Sequence, residues 1–284
     1  MKKILVPTDF SDQASYALEV AYHIAKRAQS QLILLHVVED TNVASMHYTG
    51  EIDMPHMEDR LFMMKLIEKG KKDLADLSSN SQYADIIVEQ QLRIGSPYHN
   101  IRDIIQEHDV DLVVMGTKGS SGLEEFLIGS NAEKVVRHAK CPVLTIHKKA
   151  ESFDFKDIVY ATALEDEEEQ CVNIVKSFQS LYGSTLHLLR VNTPNNFQSD
   201  KTARPELEAF AKRCNLQNYK IHIYNEGSEE EGIIYFAESV NADLIAMATH
   251  GRTGLAHLLT GSIAEDVVNH TKRPVLTYVI GKNK

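Results

Sequence analysis

The chain has no tryptophan, no low-complexity tract and no apolar run near the roughly 18 residues a membrane-spanning helix needs. Neither disorder nor a spanning helix is expected, because 43% of the 284 residues are hydrophobic and 25% charged, as in ordinary globular proteins. The stretch MKKILVPTDFSDQ lacks a long apolar core and predicts neither a secretion signal nor a membrane anchor. Cysteine is sparse. Cys141, Cys171 and Cys214 form no CxxC pair and have no histidine at metal-ligand spacing, so a zinc or disulfide framework is not expected and a reducing cytoplasm is the simplest setting. Positive charge is also scarce: 30 Lys and Arg against 40 Asp and Glu give −10, which disfavours a basic face for nucleic acid and leaves room only for a local anion site.

What is present is a repeat. Gly95-Ser96, Asp111, Gly119, Gly129-Ser130 and Pro142 recur as Gly227-Ser228, Asp243, Gly251, Gly261-Ser262 and Pro274 at an offset of 132. Near the start of each half the offset is 154: KKILVPTDF from Lys2 lies over KDIVYATAL from Lys156, and Val37 over Val191. The first half is thus expected to carry 22 extra residues (154 − 132) between its second and third strands. Short β-branched runs predict strands at 4–8, 32–38, 86–92, 112–115 and 143–146, alternating with helices at 12–28, 57–77, 97–107 and 131–138. Runs such as LILLHVV are apolar on both faces, as parallel strands covered by helices require. The fold class that follows is α/β, with two tandem, doubly wound, Rossmann-like domains of five parallel strands. The expected domains are residues 1–147 and 156–284, joined by a polar linker at 148–155.

In such sheets ligands bind beyond the carboxyl ends of the strands. Asp9 follows the first strand, and GTKGSSGLEEFLIGSNAEK, with four glycines and three serines, follows the fourth. Gly129-Ser130 opening a helix makes a phosphate seat, since helix starts present unpaired N–H groups and the positive end of the dipole. Glycines permit close approach and positive φ, Ser130 and Asn131 add donors, and Lys118 adds a counter-charge. Walker and dinucleotide signatures are absent. Against this stands a structural reading: Ser130 with Glu133, and Ser262 with Glu265, fit the capping box, and for Ser262 a cap alone is the simpler account.

The spacing Gly116, Gly119, Gly129, Ser130, that is Gly-x2-Gly-x9-Gly-Ser, with CPVL after the following helix, resembles the universal stress protein family, here in tandem form and over nearly all of both halves. The resemblance implies strand order 3-2-1-4-5. For members that bind ATP it implies a pocket lined by Pro7, Thr8 and Met115, with Asp9 near the nucleotide and main-chain groups around Val37 on the adenine. Gly116 would approach the ribose, and Gly119, Gly129, Ser130 and Asn131 would hold the phosphates. It also implies assembly through the fifth strand, here 143–146 and 275–279, which in one chain would form an intramolecular pseudo-dimer, with a homodimer as a further option. The second half departs twice: Asp9 becomes Ala163 and Gly116 becomes Ala248. Its nucleotide affinity is therefore expected to be reduced or absent.

Other residues have plainer readings. His47 and His56, within MHYTGEIDMPHMED (46–59), lack convincing metal spacing, and a lid or a packing segment is the better expectation. His36 and Arg190 occupy matching positions, and a histidine satisfied by backbone is simpler than a catalytic one. His250 and Arg252 could meet an anion or simply be solvated. EDEEEQ (165–170) reads as a solvated helix start, and Cys141 as a small apolar residue. The functional expectation is a cytoplasmic stress-response protein binding ATP, ADP or AMP, with or without magnesium, in its first half and switching unknown protein partners. Alternatives are a slow ATPase or phosphotransferase in which Asp9 helps hold a metal, and a nucleotide-free scaffold; no catalytic base is evident.

Overall fold

The computed structural model describes residues 1–39, 57–118, 128–250 and 263–280. The first half runs β1 (Lys3–Pro7), α1 (Asp12–Ala28), β2 (Gln31–Val38), α2 (Met57–Ser78), β3 (Val88–Ile94), α3 (Pro97–Glu107), β4 (Leu112–Gly116), α4 (Ser130–His138) and β5 (Val143–Ile146). The second runs β6 (Asp157–Ala161), α5 (Glu169–Tyr182), β7 (Thr185–Asn192), α6 (Asp200–Arg213), β8 (Tyr219–Asn225), α7 (Glu229–Ser239), β9 (Leu244–His250), α8 (Ile263–His270) and β10 (Val275–Ile280).

Each half has the order 3-2-1-4-5 with parallel neighbours, and the two join into one ten-stranded sheet, β3-β2-β1-β4-β5-β10-β9-β6-β7-β8. The seam is antiparallel: Thr145, Leu144 and Val143 of β5 face Val275, Leu276 and Thr277 of β10. An exposed apolar strand edge invites association, and here each half covers the other's. The two threonines buried at the seam are satisfied across it, Thr145 Oγ1 donating to the Val275 carbonyl at 3.2 Å and Thr277 Oγ1 to that of Val143 at 3.4 Å.

Alternation along the strands sends side chains to two layers. On one face Ile4, Val6, Leu32 and Leu34 join Leu18 of α1, Phe178 of α5 and Phe210 of α6 in a core continuous across both halves. On the other face the cores are separate: Leu5, Ile33 and Leu35 pack under α3 and α4, and Val159, Leu189 and Ile245 under α7 and α8.

Two sequence expectations are adjusted. The third strand begins at Val88 rather than 86, because the chain turns through 81–83 and enters the sheet with the Ile87 carbonyl accepting from Leu32 N. Register also changes the insertion: Leu32 faces Val88 while Leu186 faces Tyr219, so the offset at the third strand is 131 and the first half carries 23 extra residues (154 − 131). The second half regains one residue at Glu226, which separates Asn225 from Gly227 where Ile94 leads directly to Gly95. Of the insertion, 46–56 with His47 and His56 lie outside the described residues, and Met57, which opens α2, is exposed.

Candidate functional site

The turn after β1 is built by side chains that accept from their own backbone. Thr8 extends the ladder by donating its amide to Leu35 O at 2.8 Å. Its hydroxyl accepts from Phe10 N at 3.0 Å, and Asp9 Oδ1 accepts from Ser11 N at 3.0 Å, the local competition with regular structure that makes these residues turn formers. Phe10 sits at φ 62°, and Ser11 then caps α1 by accepting from Ala14 N. His36 pins this turn from β2: its Nδ1 donates to Thr8 O at 2.9 Å, and Phe10 packs on its ring. Gly70 of α2 lies directly against that ring; a Cβ there would come within 2.8 Å of His36 Cδ2. Asp9 is exposed at the sheet's carboxyl edge.

Pro7, Val37 and Met115 fall on the α3–α4 side of the same edge: Met115 is buried, and Val37 packs half-buried on that core. Gly116 ends β4, and its lack of a side chain has a packing reason. A Cβ there would sit 2.8–2.9 Å from the backbone C and O and the Cβ of Gln13, so the first turn of α1 rests on it. In the second half the equivalent turn, 166–168, is a 3-10 turn and the α-helix begins only at Glu169, three positions later than its counterpart. That change accompanies the methyl of Ala248.

Beyond Gly116, Thr117 is buried and forms the base of the glycine loop. Its carbonyl accepts from Gly129 N at 2.6 Å, joining the end of β4 to the start of α4. Its hydroxyl meets His147 Nδ1 at 3.1 Å. Gly129 is the N-cap of α4 at φ −62°, so this glycine does not serve a left-handed conformation. Ser130 is the first helical residue, exposed and making no capping bond, which corrects the capping-box expectation; Glu133 N instead bonds Gly129 O, and Glu133 pairs with Arg137. The amides of Ser130, Asn131 and Ala132 are thus first-turn donors without intrahelical acceptors. Lys118, two residues past the end of β4, is half-buried with its charge near His147; Gly119, Gly251, Arg252, Gly261 and Ser262 lie outside the described residues.

His147 was not singled out by sequence reasoning, which placed it at a domain edge. Burial, with the Lys118 charge nearby, pushes its imidazole down to about 4, and its Nε2 is buried without a partner among the described residues. It is therefore neutral when folded and takes up a proton on unfolding below its ordinary 6.5. The unfolded chain binds more protons in that window, so this contribution is full above pH 6.5 and is lost as pH falls toward 4. Unfolding in urea at pH 7 and 4.5 should lose about 2 kcal/mol more in the parent than in His147→Asn; parallel losses would refute the assignment.

The second half keeps the turn but satisfies it differently. Thr162 N bonds Leu189 O, Leu164 N bonds Thr162 Oγ1, and Leu164 has φ 66°. Where Ala163 supplies no carboxylate, Glu168 does so from beneath: Oε1 accepts from Ala163 N and Glu165 N, and Oε2 from Tyr160 Oη at 2.6 Å and Thr162 Oγ1 at 2.8 Å. Glu165 N is the counterpart of the Ser11 amide that Asp9 holds. Glu168 is 1% exposed, so the reading of 165–170 as a solvated helix start fails at this residue. Cys171 beside it is buried, with its thiol pushed up to about 12 by that burial; Cys141 is likewise buried and pushed up to about 12, in keeping with a small apolar role.

Among the described residues no group of three or more His, Cys, Asp or Glu side chains could hold a metal ion, and no helix is long and apolar enough to cross a membrane. What the first half does bring to the carboxyl ends of β1 and β4 is an acid, a lysine and first-turn helix amides that have no acceptor among the described residues, a set that fits a phosphorylated ligand.

The model of the universal stress protein family matches residues 1–147 and again 154–278. The universal stress protein YxiE of Bacillus subtilis is 34% identical over 145 residues, covering 51% of this chain and 97% of that protein. Slr1230 of Synechocystis, also a universal stress protein, is 26% identical over 299 residues, covering 98% of this chain and all of that one. A universal stress protein of Archaeoglobus fulgidus shares the fold with a TM-score of 0.75 over 99% of this chain and 97% of its own, at 21% identity. With one family model matching each half and a relative matching from end to end, the chain belongs to the universal stress protein family as a tandem member whose halves form a pseudo-dimer through β5 and β10.

Proposed function

We propose that the first half binds an adenine nucleotide, ATP being the first to test, and that occupancy sets the conformation a protein partner reads in the cytoplasm. The observation that carries this reading is the junction of Thr117 and Gly129. It brings the amides of Ser130 to Ala132, which have no acceptor among the described residues, to the end of β4 beside Lys118 in the chain's path, one strand away from Asp9. Pro7, Thr8, Val37 and Met115 would supply the base side; Gly119, Gly129, Ser130 and Asn131 the phosphate side. Gly116 could still face the ribose, although contact with α1 already accounts for it. Magnesium, where present, would travel with the phosphates. The second half lacks counterparts to Asp9 and Gly116 and turns a carboxylate inward instead. Calorimetry on the intact chain should give a stoichiometry near one for ATP. Gly129→Val, which obstructs close approach, should weaken binding at least tenfold, and Gly261→Val should leave it unchanged. No heat from the parent would end the nucleotide reading and leave a scaffold role.

A further inference from the structure

The residue that leads into α4 is hydrogen-bonded to the second half. Ile128, immediately before Gly129, donates its amide to Asn269 Oδ1 of α8 at 2.9 Å. Its side chain packs against both otherwise separate cores on that face of the sheet. Two consecutive amides are therefore pinned from opposite sides, Gly129 by Thr117 of the first half and Ile128 by Asn269 of the second. The amides that follow are those offered to phosphate, and their position relative to β4 depends on the α4–α8 seam.

The seam's contacts are not symmetric. Asn269 stands in α8 where α4 has Arg137, at the repeat offset of 132. Arg137 reaches instead for Glu265, which it grips with Nε and Nη2. One direction across the pseudo-twofold is a charge pair, and the other is a tether on the seat. An anion site formed by backbone N–H groups is effective when they are held before the ligand arrives, since ordering them on binding subtracts from affinity.

We infer that the second half serves as a clamp on the nucleotide seat of the first, with Asn269 as its positioning residue, so that phosphate occupancy and the α4–α8 seam are coupled. This rests on the nucleotide reading above. It assigns work to a half that lacks its own Asp9 and Gly116. Coupling is reciprocal, so a ligand on the seat strengthens the Ile128–Asn269 contact, which is a route by which occupancy reaches the surface of the second half.

The test uses the full chain with Asn269→Leu, which removes the acceptor at similar volume, and Asn269→Asp, which retains it. Ile128 amide exchange, read by NMR, should quicken at least tenfold in Asn269→Leu and stay protected in Asn269→Asp, with equal unfolding midpoints. ATP should bind Asn269→Leu about tenfold more weakly, while adenosine, which has no phosphate to place, should lose less than twofold. Equal losses for ATP and adenosine would mean a general disturbance and overturn the assignment. So would a parent that binds ATP and an Asn269→Leu that binds it as well. A parent that binds no ATP removes the nucleotide reading and the coupling together, and Ile128 exchange then still reports whether the tether exists. Should Asn269→Leu fail to fold, Asn269→Ala carries the same comparisons.

Discussion

Glu168→Ala should lower the stability of the chain by about 2–4 kcal/mol, the loss expected when buried and half-buried hydroxyls are left without their charged acceptor. The carboxylate accepts four hydrogen bonds, from two hydroxyls and two amides, and of the groups left behind the Tyr160 hydroxyl is cut off from water: Tyr160 is fully buried, Thr162 is half-buried under the same turn and Ala163 is exposed. Each buried donor without an acceptor costs about 1–3 kcal/mol, so the penalty lies mainly in what is stranded. Tyr160→Phe alone should cost less, because the carboxylate retains three donors. In the Glu168→Ala background the same change should be nearly neutral, since the orphaned hydroxyl goes with it. A urea-unfolding cycle measures this coupling. Additive losses would show that Tyr160 and Glu168 act independently, and an unchanged midpoint for Glu168→Ala would show that the turn does not depend on the carboxylate.

Arg137→Ala is the second large effect expected, about 3–5 kcal/mol. Arg137 Nε lies 2.6 Å from Glu265 Oε1, Nη2 bonds the other oxygen, and Nη2 also pairs with Glu133 at 2.9 Å one turn back. Glu265 is only 6% exposed, so loss of the guanidinium leaves a carboxylate dehydrated at the meeting of the two halves. The exposed pairs elsewhere, such as Arg204 with Asp200, should contribute little. Replacing both partners by apolar residues, Arg137→Met with Glu265→Leu, should recover a large part of that loss, because the desolvation penalty disappears along with the attraction. Urea unfolding measures both variants, and the single change should also make the transition less cooperative as the halves separate. A loss under 1 kcal/mol for Arg137→Ala would show the pair to be solvated.

Much of the architecture is local enough to be read in one dimension. Helix spans 12–28 and 97–107 and strand 143–146 agree with the structure at both ends, because Ser11, Pro97 and the apolar runs mark their own boundaries. The third strand was misplaced by two residues because an edge strand is half solvated and its pattern is weak; its start is set by the partner strand. Of the candidate site, Asp9 was legible as the residue after the first strand and Gly129-Ser130 as a helix start, while Thr8, read as the last residue of that strand, lies just past its end and shapes the turn. The reasons for two glycines were not. Gly129 has an ordinary negative φ, and Gly116 is needed because Gln13, more than a hundred positions away, rests on it. Glu168 was hidden inside an acidic run, where only contact with Tyr160 distinguishes it from its neighbours.

By itself the sequence determined the tandem repeat, the strand-helix alternation, the strand-end position of the glycine loop and the family, since these depend on spacing and short-range periodicity. Only the tertiary structure decided which strand edges meet, which acids are buried, and that Asn269 and Ile128, 141 positions apart, are hydrogen-bonded. Hydrogen bonds and burial across such distances depend on where packing brings the chain back to itself, and no local pattern encodes that.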